Sequence, residues 1–510
     1  MSDREGGLGP SLNALRANFH ASDVLAGATA AAVLIPQSLA YATLAGMPAE
    51  RGLYVAALAP IAAALLASSP YLGTGPTAIT SLLTFGALSA VAIPGGEDFI
   101  ATAAILALMV GGIRVVLGLV RAGVVAYLMS QPVLQGFTSA AAIVIIASQV
   151  PTVVGSTTEE SNPIMGAIDV IFHPASWQPA AIGVSIFVAV LMIGGRRIHR
   201  LFPAVLIAVM LGIVYSRLSG YAAPKVGSIT GGLPPFDLSL PWSSIWSLLI
   251  PAAVIGIVGF SEPASIARHY ATLERKRWDP NRELISQGIA NLAAGLGGGF
   301  PAGGSFSRSA LVRESGARTR LAGGVTGLTV LLLLPFMGVL APLPTAVLGT
   351  SIILSVIDLI KVNELLSYHR FARLQFAIAL VTFVLSLVLA PHVERALTVG
   401  IVLAVGAHLW RELRLSIPAW TEGEVLHLDP HGVLYFASAP GLEDAFTKLL
   451  AEHPEAGRLV VHLGGLGRVD LTGALVLRDL LRDAEEAGLE TEVVDVPPQA
   501  AKIISRVLGD

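Results

Sequence analysis

Between Val24 and Trp410 the chain carries fourteen apolar runs, most of them roughly 15 to 23 residues long, the length a helix needs to cross about 30 Å of hydrocarbon. They centre near Val33, Ala59, Leu83, Ala107, Val144, Phe187, Ile207, Ile255, Ile289, Leu331, Ser351, Val381 and Leu403, with one short run after Ser305. Few folds are open to such a chain. In hydrocarbon every backbone N–H and C=O must find its partner inside the protein, which favours bundles of helices. With 54% hydrophobic and 13% charged residues, and a mean hydropathy of +0.72, the expected class is an α-helical polytopic membrane protein held in the lipid bilayer.

Charge supports that count, because cytoplasmic loops should be richer in Lys and Arg. With the N-terminus inside, the inner loops carry Arg121, then Arg196, Arg197 and Arg200, then Arg268 to Arg282, then Arg313, Arg318 and Arg320, then Lys361, Arg370 and Arg373. The outer loops hold few: Arg51, Arg217, Lys225 and Arg395 are the exceptions, and Pro151 to Gln178 has no Lys or Arg. Both termini are therefore expected in the cytoplasm and the chain in the cell (inner) membrane. Met1 to His20 is polar and lacks the pattern of a cleaved signal. Zero cysteines exclude a disulfide or thiolate site, and the eleven histidines show no ligand spacing, so neither metal nor cofactor is expected. A net charge of −3 without a long basic run gives no reason to expect nucleic acid.

Two of the apolar runs are broken. Tyr71-Leu-Gly-Thr-Gly-Pro-Thr77 opens the third and Phe300-Pro-Ala-Gly-Gly-Ser-Phe-Ser-Arg308 opens the tenth. Laid over one another, the first seven runs and the last seven align their breaks, as they align Leu34-Ile-Pro-Gln-Ser-Leu-Ala-Tyr41 with Phe260-Ser-Glu-Pro-Ala-Ser-Ile-Ala267. Seven spans per half is odd, so the second copy enters the membrane inverted, and the two half-helix N-termini approach the midplane from opposite sides. The expected repeats cover about 21–218 and 244–414 within a transport domain 21–414, preceded by segment 1–20.

A helix N-terminus carries roughly half a positive charge and four unpartnered N–H groups, and two of them facing one another beside Arg308 would make a site for an anion. Gly75 and Gly304 let the backbone approach a ligand, while Thr77, Ser305 and Ser307 offer hydroxyls and Phe306 lies in the same turn. Gln37 and Tyr41 stand one turn apart on the first span and could face the same pocket. Glu262, inside the eighth run, is held between two influences: a dry interior favours its protonated form and a nearby guanidinium its ionised form. It reads either as a proton-coupling carboxylate or as a structural partner of Arg308 or Arg268. Arg114 is read as a cation whose head snorkels to the interface.

Pro36-Gln37-Ser-Leu-Ala-Tyr41, Leu44-Ala-Gly-Met-Pro48 and Gly52-Leu-Tyr54, with the later Asp279-Pro-Asn-Arg-Glu-Leu284, Ala290-Asn291, Gly298-Gly-Phe-Pro301 and Ser305-Phe-Ser-Arg308-Ser, resemble the motifs of the SulP family of sulfate permeases and related anion transporters. The resemblance implies a seven-plus-seven inverted repeat, a core domain holding the anion between spans three and ten, a gate domain, and homodimers. It places Gln37, Tyr41, Thr77, Ser305, Ser307 and Arg308 around the substrate.

Beyond Arg414 the composition becomes that of a soluble α/β domain, taken as 420–510, with strands expected at Val425–Leu428, Val433–Ala437, Leu459–Leu463 and Glu492–Val496. Helices are expected at Leu442–His453, Thr472–Ala487 and Pro498–Leu508. The domain resembles a STAS domain, in which Thr472 would stand at the phospho-acceptor position of related antagonists unless Asp470 or Thr472 simply caps the next helix; a cytoplasmic partner is a further implication. The expected function is proton-coupled symport of a small anion such as a dicarboxylate, sulfate or bicarbonate, with an uncoupled exchanger or channel as the alternative. No enzymatic chemistry is expected.

Overall fold

The computed structural model describes residues 20–124, 130–198, 202–229, 232–236 and 240–509, so nearly all of the expected N-terminal segment 1–20 lies outside the described residues. It divides into two compact units, Met1–Ile401 and Val402–Asp510. The first half of the helical part runs α1 (Ala21–Leu44), α2 (Ala49–Leu66), a short strand β1 (Gly73–Gly75), α3 (Ala78–Ser89), α4 (Glu97–Leu119), α5 (Gln131–Val154), α6 (Pro163–Phe172), α7 (Pro179–Ile198) and α8 (Ala204–Leu218). The second half runs α9 (Ile245–Leu273), α10 (Pro280–Leu296), β2 (Gly303–Ser305), α11 (Phe306–Glu314), α12 (Leu321–Leu333), α13 (Thr345–Val356), α14 (Val362–Phe371), α15 (Arg373–Val388) and α16 (Val393–Glu412).

Among the described residues, nine helices are long and apolar enough to cross a membrane. The other expected runs fall on α3, α8, α10, α11 and α15, which are shorter, so length and composition alone give nine spans rather than fourteen. In α3 and α11 the shortening has a clear cause: the glycine-rich stretches before them are extended, and the helix begins only after the break.

Packing within the first unit follows the repeat. α4 lies against α10 and, with the halves exchanged, α12 lies against α2. The same exchange turns the α1–α12 contact into α9–α4, the α1–α11 contact into α9–α3, and the α5–α15 contact into α13–α7. Contacts between equivalent elements, α2 with α10, α5 with α13 and β1 with β2, map onto themselves. A two-fold relation between halves generates this pattern.

Without a hydrophobic drive between helices in lipid, close association depends on small residues that let backbones meet. The α4–α10 seam is built that way. A Cβ on Gly111 would lie 2.8 Å from the Gly288 carbonyl, and one on Gly288 would lie 2.8 Å from the Gly111 carbonyl. At Gly295 it would meet the Ala104 carbonyl at 2.7 Å. The α1–α12 contact repeats the device at Gly27, whose Cβ would sit 2.6 Å from the Ala322 carbonyl.

The second unit contains β3 (Ala419–Glu422), β4 (Val425–Leu428), β5 (Gly432–Leu434), α17 (Ala439–Glu452), β6 (Arg458–His462), β7 (Leu466–Val469), α18 (Leu471–Glu486), β8 (Glu490–Val494) and α19 (Pro498–Leu508). Its main sheet has the order β3-β4-β6-β8, with β3–β4 antiparallel and the other pairs parallel, while β5 and β7 pair separately. Leu426, Leu428, Leu459 and Val461 point from the sheet onto Leu442, Phe446, Leu477 and Ile504 of the helices. The expected strand Val433–Ala437 ends early, at Leu434. Ser438 Oγ donates to Val433 O at 2.7 Å and accepts from Tyr435 N at 3.1 Å, which curls the chain into α17. Strands β3 and β7 were not foreseen, and β3 begins at Ala419, just ahead of the expected domain start. Asp470 Oδ1 accepts from Gly473 N at 2.7 Å and so caps α18, with Thr472 exposed beside it.

Gly288→Ala should lower stability by about 1–3 kcal/mol, as overpacking of a close backbone contact does, whereas Gly183→Ala, with nothing within 4 Å of the added Cβ, should be close to neutral. Thermal unfolding of the two variants in detergent is the comparison; equal midpoints would mean that the α4–α10 seam tolerates a methyl group.

Candidate functional site

The two breaks in the apolar pattern meet. β1 and β2 pair antiparallel, with Gly73 opposite Ser305, Thr74 opposite Gly304 and Gly75 opposite Gly303. This satisfies backbone groups at a depth where lipid could not. Gly75 has φ +150°, and a Cβ on Gly304 would lie 2.8 Å from Leu72 Cδ1 and 3.2 Å from Pro263 Cα in α9, so glycine is required for conformation at one position and for space at the other. Side chains complete the pairing: Gly73 N donates to Ser309 Oγ at 2.9 Å, and that hydroxyl donates to Ser305 O at 2.7 Å. From α10, Gln287 Nε2 donates to Thr74 Oγ1 at 2.9 Å. Asn291 takes both sides of the Ala302 peptide, accepting from its N–H at 2.9 Å and donating to its carbonyl at 3.2 Å.

Arg308 is 2% exposed and does not reach the interface. Its Nη1 donates to Gln37 Oε1 at 3.3 Å and its Nη2 to Gly73 O at 3.4 Å, so the guanidinium bridges α1 and β1. Tyr41 is buried one turn from Gln37, and its hydroxyl lies within the electrostatic reach of both Arg308 and Glu262. Glu262 is half-buried on α9 and interacts with the charge of Arg308 and with the backbone N–H of Phe306. Gln37, Tyr41, Gly75, Glu262 and Arg308 thus converge on one place.

The hydroxyls are used unequally. Thr77 is the N-cap of α3: its Oγ1 accepts from Thr80 N at 3.3 Å and lies 2.9 Å from Thr80 Oγ1, so this hydroxyl is largely occupied. Ser305, the N-cap of α11, makes no side-chain cap; its hydroxyl lies 3.1 Å from that of Ser307. Ser305 therefore leaves the first turn of α11 without a cap of its own; Glu262 reaches the Phe306 N–H from α9, and Phe306, 46% exposed, and Ser307 face open space beside it. Of the two helix ends expected to receive an anion, α3 is capped by its own Thr77, whereas α11 is met from across the fold by the Glu262 carboxylate.

Arg114 corrects the sequence reading. It does not snorkel: it is fully buried, and it donates from Nε to Gly256 O at 2.9 Å, from Nη2 to Ile255 O at 3.2 Å and from Nη1 to Ala302 O at 3.2 Å. It ties α9 to the turn entering β2. Glu283, also fully buried, was missed as well. Its Oε2 accepts from Ser68 N at 3.0 Å and from Ser69 N at 2.9 Å, holding the chain that leads into β1. The signal for Arg114 was present in the sequence, since an isolated cation inside a strongly apolar run needs a reason; that for Glu283 was not, because it sits one turn into a helix beside exposed charges.

The sulfate permease family model matches residues 21–382, and the STAS domain model matches 416–507. This chain belongs to the sulfate permease family. It is 37% identical to a Mycobacterium tuberculosis protein named "Probable sulfate transporter", over 71% of this chain and 65% of that protein, so the match spans just under two thirds of that relative. It is 30% identical to the Arabidopsis thaliana "Sulfate transporter 4.1, chloroplastic", over 83% of this chain and 66% of that one. Among solved structures, murine Slc26a9, described as an anion transporter in the inward-facing state, superposes with a TM-score of 0.86 at 21% identity, covering 96% of this chain and 87% of that chain. The transmembrane domain of a cyanobacterial bicarbonate transporter superposes with a TM-score of 0.65 at 24% identity, covering 78% of this chain and 99% of that chain. This sulfate permease family member is thus a multi-pass membrane protein with the fold of the anion transporters and a C-terminal STAS domain.

Arg114→Met should destabilise the protein by about 2–5 kcal/mol, because it removes three hydrogen bonds from a charged donor and strands their carbonyls. Thermal unfolding in detergent checks this, and a midpoint equal to that of the unmodified protein would return Arg114 to the interface.

Proposed function

We propose that the chain is a proton-coupled symporter of a small anion, a dicarboxylate, sulfate or bicarbonate, which binds between β1, β2 and the N-terminus of α11. One observation carries the reading: a buried guanidinium, that of Arg308, shares its surroundings with Gln37, Tyr41, the first turn of α11, which Ser305 does not cap, and a half-buried carboxylate, Glu262, that reaches the Phe306 N–H. A positive pocket of this kind favours an anion, because the N–H groups and the guanidinium are already oriented and need no reorganisation when it arrives. The names of the relatives support sulfate, and a doubly charged substrate suits the charge. Ser305, Ser307 and Gly304 would complete the pocket, with Thr77 supporting it from the cap of α3.

Glu262 supplies the coupling in this reading. Its carboxylate interacts with both Arg308 and the Phe306 N–H, the same donors that an anion would use. An arriving anion displaces that interaction and favours the neutral acid. Proton and anion therefore bind each better in the presence of the other, and the coupling is reciprocal. Transport would proceed by movement of the α1–α4 and α9–α12 group, which carries the site, against α5, α7, α8, α13, α15 and α16. Fourteen crossings, both termini in the cytoplasm of a cell whose inner membrane holds the protein, and a homodimer belong to the same proposal, as does a cytoplasmic partner for the STAS domain.

Uptake of labelled sulfate, fumarate and bicarbonate into proteoliposomes tests it. An inward proton gradient should raise uptake of at least one of them; gradient-independent uptake would mean an uncoupled exchanger or channel. Glu262→Gln should retain binding and lose the pH dependence, and cotransport of protons surviving in that variant would assign coupling to another group. Arg308→Ala should weaken anion binding about 10- to 100-fold, the value of a charge-assisted hydrogen bond or two; unchanged affinity would remove Arg308 from the site.

A further inference from the structure

Two arginines outside the pocket occupy matching places in the repeat. Arg51 is the third residue of α2 and Arg282 the third residue of α10. Arg51 Nη1 donates to Gly298 O, just beyond the C-terminal end of α10, at 3.1 Å. Arg282 Nε donates to Leu66 O, the last residue of α2, at 2.8 Å. Each helix thus supplies, from its first turn, a cation to the far end of the other, where backbone carbonyls lack intrahelical partners and the dipole favours positive charge. The pair is reciprocal, and it maps onto itself when the halves are exchanged.

The places gripped are those where each chain leaves its helix for the substrate strands. Beyond Leu66 come Ser68 and Ser69, held by Glu283, and Ala67, whose carbonyl accepts from Arg320 Nη1 at 3.1 Å; then β1 begins. Beyond Gly298 come Phe300 to Ala302, held by Asn291 and Arg114, and then β2. Gly298 has φ +66°, and the Arg51 guanidinium fills the space that a Cβ there would need. The Arg51 guanidinium carbon also lies 5.7 Å from the centre of the Tyr54 ring, a cation–π contact that helps to hold the head group.

We propose that Arg51 and Arg282 are positioning residues that act on the anion site by fixing, from opposite ends of the α2–α10 pair, the segments that deliver β1 and β2. Neither is placed against the substrate. Their role lies in register: with one grip released, its strand shifts relative to the other, and Gly73 O moves with respect to Arg308. This inference rests on the site assignment made above, but its structural half does not depend on which anion is carried. It also accounts for Arg51 as an exception to the charge pattern of the loops, since that cation is used as a helix-end partner.

The test uses the full-length protein in proteoliposomes and in detergent, with Arg51→Gln, Arg282→Gln and the corresponding Lys variants. Hydrogen–deuterium exchange should rise in residues 297–305 for Arg51→Gln and in residues 67–77 for Arg282→Gln, with α4 unchanged in both. The KM for labelled sulfate should rise about tenfold in each Gln variant with a smaller change in kcat, as misplacement of binding groups produces, and the Lys variants should recover most of it. Exchange that is unchanged in the gripped segment, or that rises equally throughout the first unit, would overturn the proposal, as would an unmoved KM. If the Gln variants do not fold, the Lys variants decide: a smaller rise confined to the same segments supports the grip, and none refutes it. Were the unmodified protein to carry none of the anions, the transport reading would fail on its own, and the exchange pattern would still decide the role of the two arginines.

Discussion

Breaking a helix inside a bilayer leaves N–H and C=O groups with no water to turn to, and that cost governs the arrangement of this protein. The two broken segments solve it jointly. Each supplies the strand that the other lacks, in a pairing of three residues per side. Much of the surrounding polar chemistry maintains that pairing: Ser309 and Gln287 touch the strands themselves, while Asn291, Arg114 and Glu283 hold the chain on either side. Buried polar groups of this kind are costly when half-satisfied and rigid when complete. The scaffold therefore delivers two strands in fixed register, and the pocket inherits that rigidity.

The apolar runs made the membrane class and the positions of nearly all the helices legible, because a continuous run of helical length has few other readings. The breaks were legible too, since Gly303, Gly304 and Gly75 stand where a span should continue. Their pairing as strands was not, because three residues carry no strand periodicity and the partner lies more than two hundred positions away. Arg114 was misread for a related reason. An isolated cation in an apolar run signals a buried role, but which acceptors it meets does not show in the sequence: the Ile255, Gly256 and Ala302 carbonyls that hold it come from distant segments. In the STAS domain, β4 and α19 fell where alternation and amphipathic spacing put them. The strand at Val433 was cut short by one hydroxyl, Ser438, that no pattern of hydrophobicity records.

The glycines show how one residue type serves different ends in the same fold. Gly111 and Gly288 are empty on their facing sides so that two long helices can touch backbone to backbone. Gly304 is empty so that a strand can lie on Pro263, and Gly75 is there because its backbone angle excludes most side chains. In sequence all four look alike. Their roles separate only when the neighbour across the gap is known.

The halves share a plan of packing but not of chemistry. α3 begins with a threonine that caps its own first turn; α11 begins with a serine that does not, followed by the arginine that crosses to Gln37. Across from these, α1 contributes an amide and a phenol where the equivalent stretch of α9 contributes a carboxylate. A pocket on the two-fold axis with identical walls would present the same field to either side of the membrane. Here Arg308 and the first turn of α11 both lie on the second half, with Glu262 already against the Phe306 N–H, so a ligand drawn to those donors would compete with that carboxylate. In the proposed mechanism this asymmetry would put charge attraction and proton exchange on one wall, close enough for each to influence the other without a longer-range conformational signal.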